Sequence, residues 1–340
     1  MSQKPSRTTS TVILDLVQRI GAISTGDQIE VPIAPGDADL IARWCVRTGN
    51  EFVQAGNGTA VVRRGPVLGD EAVLAQLPPE QRPGYRLWIY TNFDCNLACD
   101  YCCARSSPQA ERRALGLVQI TRLAEEAAEA GVGEIFLTGG EPFLLPDLDE
   151  IVATCVSRRP TTVLTNGMLF RGSRLAMLRR MPRDGLTLQI SLDSATPDLH
   201  NRHRGAGSWQ RAMSGVETAR TEGFRVRVAA TVDASTPPSH LAEFHALLDS
   251  QGLPRRDQIV RPIAQRGFAE TGVTLTQEML IPEVTVTAGG VYWHPVSADH
   301  DDHLLTHQLF PLSEAISMAR RMYAEHRRAT NTAAHRFPCA

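Results

Sequence analysis

No stretch of the 340 residues approaches the uninterrupted apolar run of roughly 18 residues that a membrane span needs, and no secretory apolar region follows the polar opening Met1 to Ser10. The chain also lacks an excess of either charge. Its 35 Lys and Arg stand against 37 Asp and Glu, a formal net charge of -2, so there is no global basic field to attract nucleic acid. A cytoplasmic protein with neither a membrane nor a nucleic acid as partner is the expectation. Cysteine is scarce and unevenly placed: of seven, four crowd into residues 95–103, and only Cys339 lies beyond residue 155. A disulfide framework spreads its cysteines along the chain, so this crowding favours a cofactor site.

What is present divides in three. Residues 11–65 hold apolar positions at helical spacing (Val12, Ile13, Leu14, Val17, Ile20), a strand-like Gln28 to Ile33, a helical Ala38 to Thr48, and two short strands about Ala55-Gly56-Asn57-Gly58 that read as a hairpin. This is a small α+β unit, assigned to residues 1–80 with its linker. The prolines of Pro66 to Gly84 argue against a regular element there. From Arg86 onward strand and helix patterns alternate. Strands are expected near 86–91, 134–138, 161–165, 186–192, 225–232 and 257–263, with helices over Leu117–Ala130, Leu148–Ser157, Arg174–Arg180, Trp209–Glu222 and His240–Gln251. Six such units predict an α/β fold, a partial (β/α)6 barrel over residues 81–270 with its chemistry on the loops at the C-terminal strand ends. Residues 271–340 are expected to add a hairpin, Glu283 to Thr287 and Val291 to His294 about Ala288-Gly289-Gly290, and a helix.

The stretch that organises the chain is Cys95-Asn96-Leu97-Ala98-Cys99-Asp100-Tyr101-Cys102, directly after the apolar Leu87-Trp88-Ile89-Tyr90. Three closely spaced thiolates can hold three irons of one [4Fe-4S] cube, and the missing fourth cysteine leaves one iron open to another ligand. A structural zinc site or simply buried thiols are the alternatives, although zinc usually takes a fourth Cys or His. Cys-x3-Cys-x2-Cys with an aromatic before the last Cys resembles the signature of the radical S-adenosylmethionine (SAM) superfamily, in which the open iron chelates SAM. That resemblance implies Cys95, Cys99 and Cys102 as cluster ligands and leaves Cys103 aside.

Further motifs follow the strands. Thr138-Gly139-Gly140-Glu141-Pro142 resembles the superfamily's GGEP element, which holds the SAM ammonium; exposed carbonyls and a carboxylate suit a cation, and Gly removes a Cβ that blocks approach. Leu164-Thr165-Asn166-Gly167 and Ile190-Ser191-Leu192-Asp193 resemble the TNG and SLD elements of peptide-modifying and molybdopterin-type members, which implies Thr165 and Ser191 near the ribose and methionine carboxylate. A plain turn and a helix cap are the competing readings. His200-Asn201-Arg202-His203-Arg204 resembles His-Asp-x-x-Arg of that family, with Asn201 in place of Asp, and implies that Arg204 pairs with the SAM carboxylate. Tyr101 stands where the family sets an aromatic against adenine.

Two segments depart from family patterns. Gly26-Asp27-Gln28-Ile29-Glu30-Val31, the helix with Trp44-Cys45 and the Gly49 turn resemble the TusA-like (SirA-like) sulfur carriers, but Thr9-Ser10-Thr11-Val12 stands where the carrier thiol belongs. A docking module or a stabilising appendage is the expectation. The hairpin at 283–294 resembles SPASM or twitch extensions, with His294 at the expected Cys, so no auxiliary cluster is expected; His294, His300, His303, His307 and Asp299, Asp301 and Asp302 either bind a metal or are solvated. The implied activity is radical chemistry from SAM on a peptide or small metabolite, with flavodoxin or ferredoxin as electron donor. A sulfur-transfer protein and a non-catalytic iron-sulfur regulator or scaffold are the rivals.

Overall fold

Val12, Leu16 and Ile20 recur at three-to-four spacing and are buried along one face of α1 (Thr9–Gly21), where they meet Ile41, Trp44 and Cys45 of α2 (Asp37–Thr48). The computed structural model describes residues 9–66 and 68–333. The other half of this small core is a three-stranded antiparallel sheet in the order β1 (Gln28–Pro32), β3 (Thr59–Arg63), β2 (Glu51–Gly56), which contributes Val31, Ala60 and Val62. Asn57 and Gly58, both at positive φ, turn the hairpin, as the right-handed twist of the two strands favours. Gly49 ends α2 in the left-handed region, its N–H on the Cys45 carbonyl. Residues Thr9 to Val12, where the resemblance to the sulfur carriers expects a thiol, open α1. Burial pushes the Cys45 thiol up to about 11, as suits an apolar filler.

The proline-rich 66–84 segment is not devoid of regular structure. A short helix, α3 (Asp70–Leu74), buries Val73 and Leu74, and a 3-10 turn covers Pro79–Gln81. The prolines bunch after α3, so they end it without entering it. By contacts the chain divides between Arg82 and Pro83, and residues from Arg320 onward group with the first unit.

The second unit is built on six parallel strands in sequence order: β4 (Arg86–Asn92), β5 (Glu134–Gly139), β6 (Thr161–Thr165), β7 (Leu186–Ser191), β8 (Arg225–Val232) and β9 (Gln258–Pro262). Between them run α4 (Leu117–Glu129), α5 (Leu148–Val156), α6 (Gly172–Arg180), α7 (Pro197–Arg204), α8 (Ser208–Thr221) and α9 (Pro238–Ser250). Uninterrupted neighbour order, with no reversal, is the winding of a partial (β/α)6 barrel. β5, β6 and β7 are buried nearly throughout, as strands covered on both faces must be. α7 has no apolar stripe, and its only buried side chain is His200.

Three short strands extend the sheet beyond β4. β10 (Thr285–Thr287) lies parallel to β4, β11 (Gly290–Tyr292) forms the hairpin with it, and β12 (Leu304–Thr306) is a further antiparallel edge; α10 (Leu312–Ala333) follows. The strands of the hairpin are shorter than the sequence suggests, although Glu283 N–H still donates to the Trp293 carbonyl at 3.0 Å. The Glu283 carboxylate takes Arg86 Nη1 at 2.9 Å and Trp88 Nε1 at 2.5 Å.

Candidate functional site at the strand ends

The cysteine loop leaves the C-terminal end of β4 through Phe93 and Asp94 and returns along its own base. Cys95 N–H donates to the Ser107 carbonyl at 3.2 Å and Leu115 N–H to the Thr91 carbonyl at 3.0 Å. Within the loop Cys102 N–H reaches the Cys99 carbonyl at 3.1 Å. Two backbone N–H groups point at thiol sulfurs, Leu97 at Cys95 Sγ and Ser106 at Cys102 Sγ, each at 3.4 Å. Burial, aided by the Glu141 carboxylate, pushes the Cys95 thiol up to about 12; burial pushes Cys99 up to about 11 against the opposing charge of Arg204. Cys103 turns to the Tyr90 hydroxyl, which itself donates to the Pro295 carbonyl at 2.8 Å.

A cube of iron and sulfide suits these residues. N–H groups aimed at ligating sulfurs are one of the features that tune such clusters, and Ser106, whose N–H reaches Cys102 Sγ, has a buried Oγ with no hydrogen-bond partner among the described residues. Among the described residues no three His, Cys, Asp or Glu side chains are gathered as around a single metal ion. Thiols at separate corners of a cube stand farther apart than ligands of one ion.

The Gly139-Gly140 pair ends β5 against this loop, and its glycines answer to the chain's own backbone. A Cβ on Gly139, whose φ is +141°, falls 2.3 Å from the Asn92 carbonyl oxygen, and one on Gly140 falls 2.1 Å from that of Asp94. The strands meet here through Gly140 N–H to Asn92 O at 3.0 Å and Glu141 N–H to Asp94 O at 2.9 Å. Pro142, buried, begins a 3-10 turn. The Glu141 carboxylate, sought by sequence reasoning for the SAM ammonium, is fully buried and already engaged. Oε1 accepts from Phe143 N at 3.0 Å and Thr165 Oγ1 at 2.7 Å, and Oε2 from Asn166 N at 2.8 Å. The Gly140 carbonyl, by contrast, accepts no hydrogen bond among the described residues. Asn166 passes the connection on, its Nδ2 donating to Asn96 Oδ1 in the cysteine loop at 2.8 Å. Thr165 thus spends its hydroxyl on Glu141, while Ser191 ends β7 half-buried.

A second set of contacts holds the far side of the loop. Asp193 follows β7 and is buried. Its Oδ2 accepts from Tyr101 OH at 2.5 Å and Arg204 Nε at 2.6 Å, its Oδ1 from Arg204 Nη2 and Thr231 N, each at 3.1 Å. Arg204 therefore faces a carboxylate of its own chain; its Nη1 makes no hydrogen bond among the described residues. The Tyr101 ring lies 5.4 Å from the Arg204 guanidinium carbon and 5.6 Å from the His203 ring. Asp100 is tied to α7 as well, its carboxylate 3.0 Å from His203 Nδ1. His200 Nδ1 accepts from Asp193 N at 3.1 Å. Asn201 accepts from Trp209 N at 2.9 Å and Ser208 Oγ at 3.1 Å, capping the start of α8. An acceptor is all that position asks, so Asn serves where the related motif has Asp.

Asn92 lies outside every motif read from the sequence, and Asn96, Asp193 and His200 lie inside such motifs without having been assigned these contacts. Asn92 and Asp193 share one legible signal, a polar residue at or just past the end of an apolar strand.

The turn after β9 closes on the loop: Gly267 at φ +65° lies so that a Cβ falls 2.2 Å from the Cys102 carbonyl oxygen, and Phe268 N–H donates to that oxygen at 3.0 Å. From the extension, Ala298 packs with Tyr90, Phe93, Ala104 and Cys102. Arg113 lies 4.0 Å over the Phe93 ring and grips Asp299 at 2.7 and 3.2 Å. Of the four histidines named as metal-ligand candidates, three meet other groups, and His300 Nε2 is buried with no hydrogen-bond partner among the described residues. His294 Nδ1 accepts from Val296 N, His303 Nε2 meets Arg266 Nη2, and His307 Nδ1 meets the Gly289 carbonyl.

A loop of three thiols facing a glycine turn across adjoining parallel strands is the arrangement of one class of protein. Residues 89–236 match the family model of the radical SAM superfamily. A [4Fe-4S] cluster and SAM are the cofactors of that superfamily. Among curated relatives, the chain is 35% identical over 143 residues to the antilisterial bacteriocin subtilosin biosynthesis protein AlbA of Bacillus subtilis (strain 168), covering 41% of this chain and 31% of AlbA. It is 29% identical over 205 residues to the mycofactocin maturase MftC of Mycobacterium ulcerans (strain Agy99), 59% of this chain and 54% of MftC. To a GTP 3',8-cyclase of Haemophilus influenzae (strain PittEE) it is 32% identical over 159 residues, 43% and 44% of the two chains. The chain thus spans about half or less of these relatives. A crystal structure of Streptococcus suis SuiB bound to precursor peptide SuiA aligns at TM-score 0.49 and 19% identity, covering 67% of this chain and 52% of that one.

Proposed function

We propose that this protein is a radical SAM enzyme that abstracts hydrogen from a peptide or a small metabolite. The observation that carries the reading is the seating of Asn92 to Asp94, the strand end that leads into the cysteine loop, on the Gly139-Gly140 turn, at a distance that admits no side chain on either glycine. Cys95, Cys99 and Cys102 hold the cluster and Cys103 does not. When bound, cluster and SAM together supply a 5'-deoxyadenosyl radical after one-electron reduction by a flavodoxin or ferredoxin. The protein's part is to hold and to exclude. With the Glu141 carboxylate engaged by three donors, the ammonium of SAM is received by the backbone of the turn, the free Gly140 carbonyl foremost, while Glu141 and Pro142 keep that turn in shape. Arg204 offers Nη1 to the methionine carboxylate, Thr165 and Ser191 line the approach, and Tyr101 supplies the ring beside adenine.

Relatives named for bacteriocin biosynthesis and as a maturase support a peptide substrate, and the GTP cyclase supports a small one. The first unit, whose order of elements resembles the sulfur carriers without their thiol, is read as a module for docking substrate or protein. Anaerobic incubation of the iron- and sulfide-reconstituted protein with SAM and dithionite tests the activity. 5'-Deoxyadenosine is the expected product, and a loaded cluster that forms none defeats the reading.

A further inference from the structure

We propose that Asp193 and Arg204 form a charge-balancing pair that sets the reduction potential of the cluster at its Cys99 side. The inference rests on the reading of the loop as a cluster site and adds a task for two residues that touch the loop through Tyr101. Four hydrogen bonds fill the two oxygens of Asp193, and they come from three separate elements: the loop (Tyr101 OH), the end of α7 (Arg204 Nε and Nη2) and β8 (Thr231 N). Side-chain exposure is 1% for Asp193 and 9% for Arg204, so solvent and salt screen neither charge well. Tyr101 lies between Cys99 and Cys102 in sequence, and the Arg204 guanidinium carbon is 5.4 Å from its ring.

A cluster accepts an electron more readily beside a cation and less readily beside an anion, since reduction adds negative charge. A bidentate pair presents nearly no net charge beyond its own length. Neutralising one partner exposes the other, and the cluster reads the difference. Asp193 is therefore a positioning residue for Arg204 and Tyr101 and also an electrostatic counterweight.

The test is an equilibrium redox titration of reconstituted protein without SAM, followed by visible absorbance or EPR after iron and sulfide content has been matched. Asp193→Asn is expected to move the midpoint to higher potential and Arg204→Gln to lower potential, with the double variant nearer the parent than either. A second comparison separates charge from packing: Arg204→Lys loses the planar fork but keeps the cation, so its potential stays nearer the parent than that of Arg204→Gln. Single variants that shift in the same direction, or Lys and Gln variants with equal potentials, overturn the proposal. Failure of the parent itself to hold a cluster or to cleave SAM counts instead against the proposed function, whereas a SAM-cleaving parent whose variants keep its potential defeats this inference alone.

Discussion

Two buried carboxylates stand at strand ends on either side of the cysteine loop, and their environments push them in opposite directions. Glu141, after β5, meets only neutral donors: two backbone N–H groups and a threonine hydroxyl. Burial dominates, and its carboxyl is raised above the usual range. Asp193, after β7, is about as buried, yet the Arg204 guanidinium and the Tyr101 hydroxyl outweigh burial and hold it below its usual range. Burial by itself favours the neutral acid, and a paired cation reverses the sign. The Glu141 side is thus a staple between turns, while the Asp193 side is a charged joint between loop and helix.

Cutting the loop that both sides hold has the largest expected effect. Cys95→Ala, Cys99→Ala or Cys102→Ala each abolish the visible absorption of reconstituted protein, whereas Cys103→Ala, whose thiol faces Tyr90, keeps it. The parent binds about 4 iron and 4 sulfide, the content of one cube; about 8 iron per chain contradicts this. Next, Glu141→Ala strands three buried donors, at about 1–3 kcal/mol for each unsatisfied group. A loss of about 3 kcal/mol or more in denaturant unfolding is expected, with a smaller loss for Glu141→Gln. A loss below about 1 kcal/mol contradicts the staple.

The charged joint also carries a histidine. Burial lowers His200 to about 4 even with Asp193 3.9 Å away. Its unfolded value is near 6.5, so the unfolded chain binds the extra proton first. This contribution is present above about pH 6.5 and is lost as pH falls towards about 4, on the order of 3 kcal/mol in all. His200→Gln should flatten that acid limb, which thermal unfolding from pH 7 to pH 4 can follow.

A smaller effect separates the two carboxylates. Asp193, lowered on folding, stabilises above its unfolded value and loses that contribution as pH falls through its folded value. Glu141, raised on folding, contributes most below its unfolded value and loses it as pH rises through its folded one. Asp193→Asn and Glu141→Gln should therefore change the slope of stability against pH in opposite senses, and changes of the same sense break the contrast. No effect at all is expected at Cys45. After incubation with a cysteine desulfurase and cysteine, mass spectrometry should find no sulfane sulfur on residues 1–80, because the thiol is buried in the small core.

Much of the fold is legible in the sequence. The six barrel strands are apolar runs with β-branched residues at regular intervals, and five of the helices between them announce themselves by a stripe. α7 was not legible, because Pro-Asp-Leu-His-Asn-Arg-His-Arg has no stripe to read. Its buried side is a histidine, which only the Asp193 N–H gives a reason to bury. The short α3 was hidden by the prolines that follow it.

The cysteine spacing, the glycine turn and the acceptors after the strands are local facts, written in consecutive residues, and sequence alone determined them. The partners of those residues are not local. Gly139 and Gly140 are required by Asn92 and Asp94, some 45 residues earlier in the chain; Glu141 spends its carboxylate on Thr165 and Asn166; and Arg204 finds Asp193 before any ligand arrives. A motif states which groups are available at a strand end. Which of them remain free depends on how neighbouring strand ends satisfy one another's buried polar atoms, and only the packed barrel decides that, because an unsatisfied buried donor or acceptor costs more than most single contacts return.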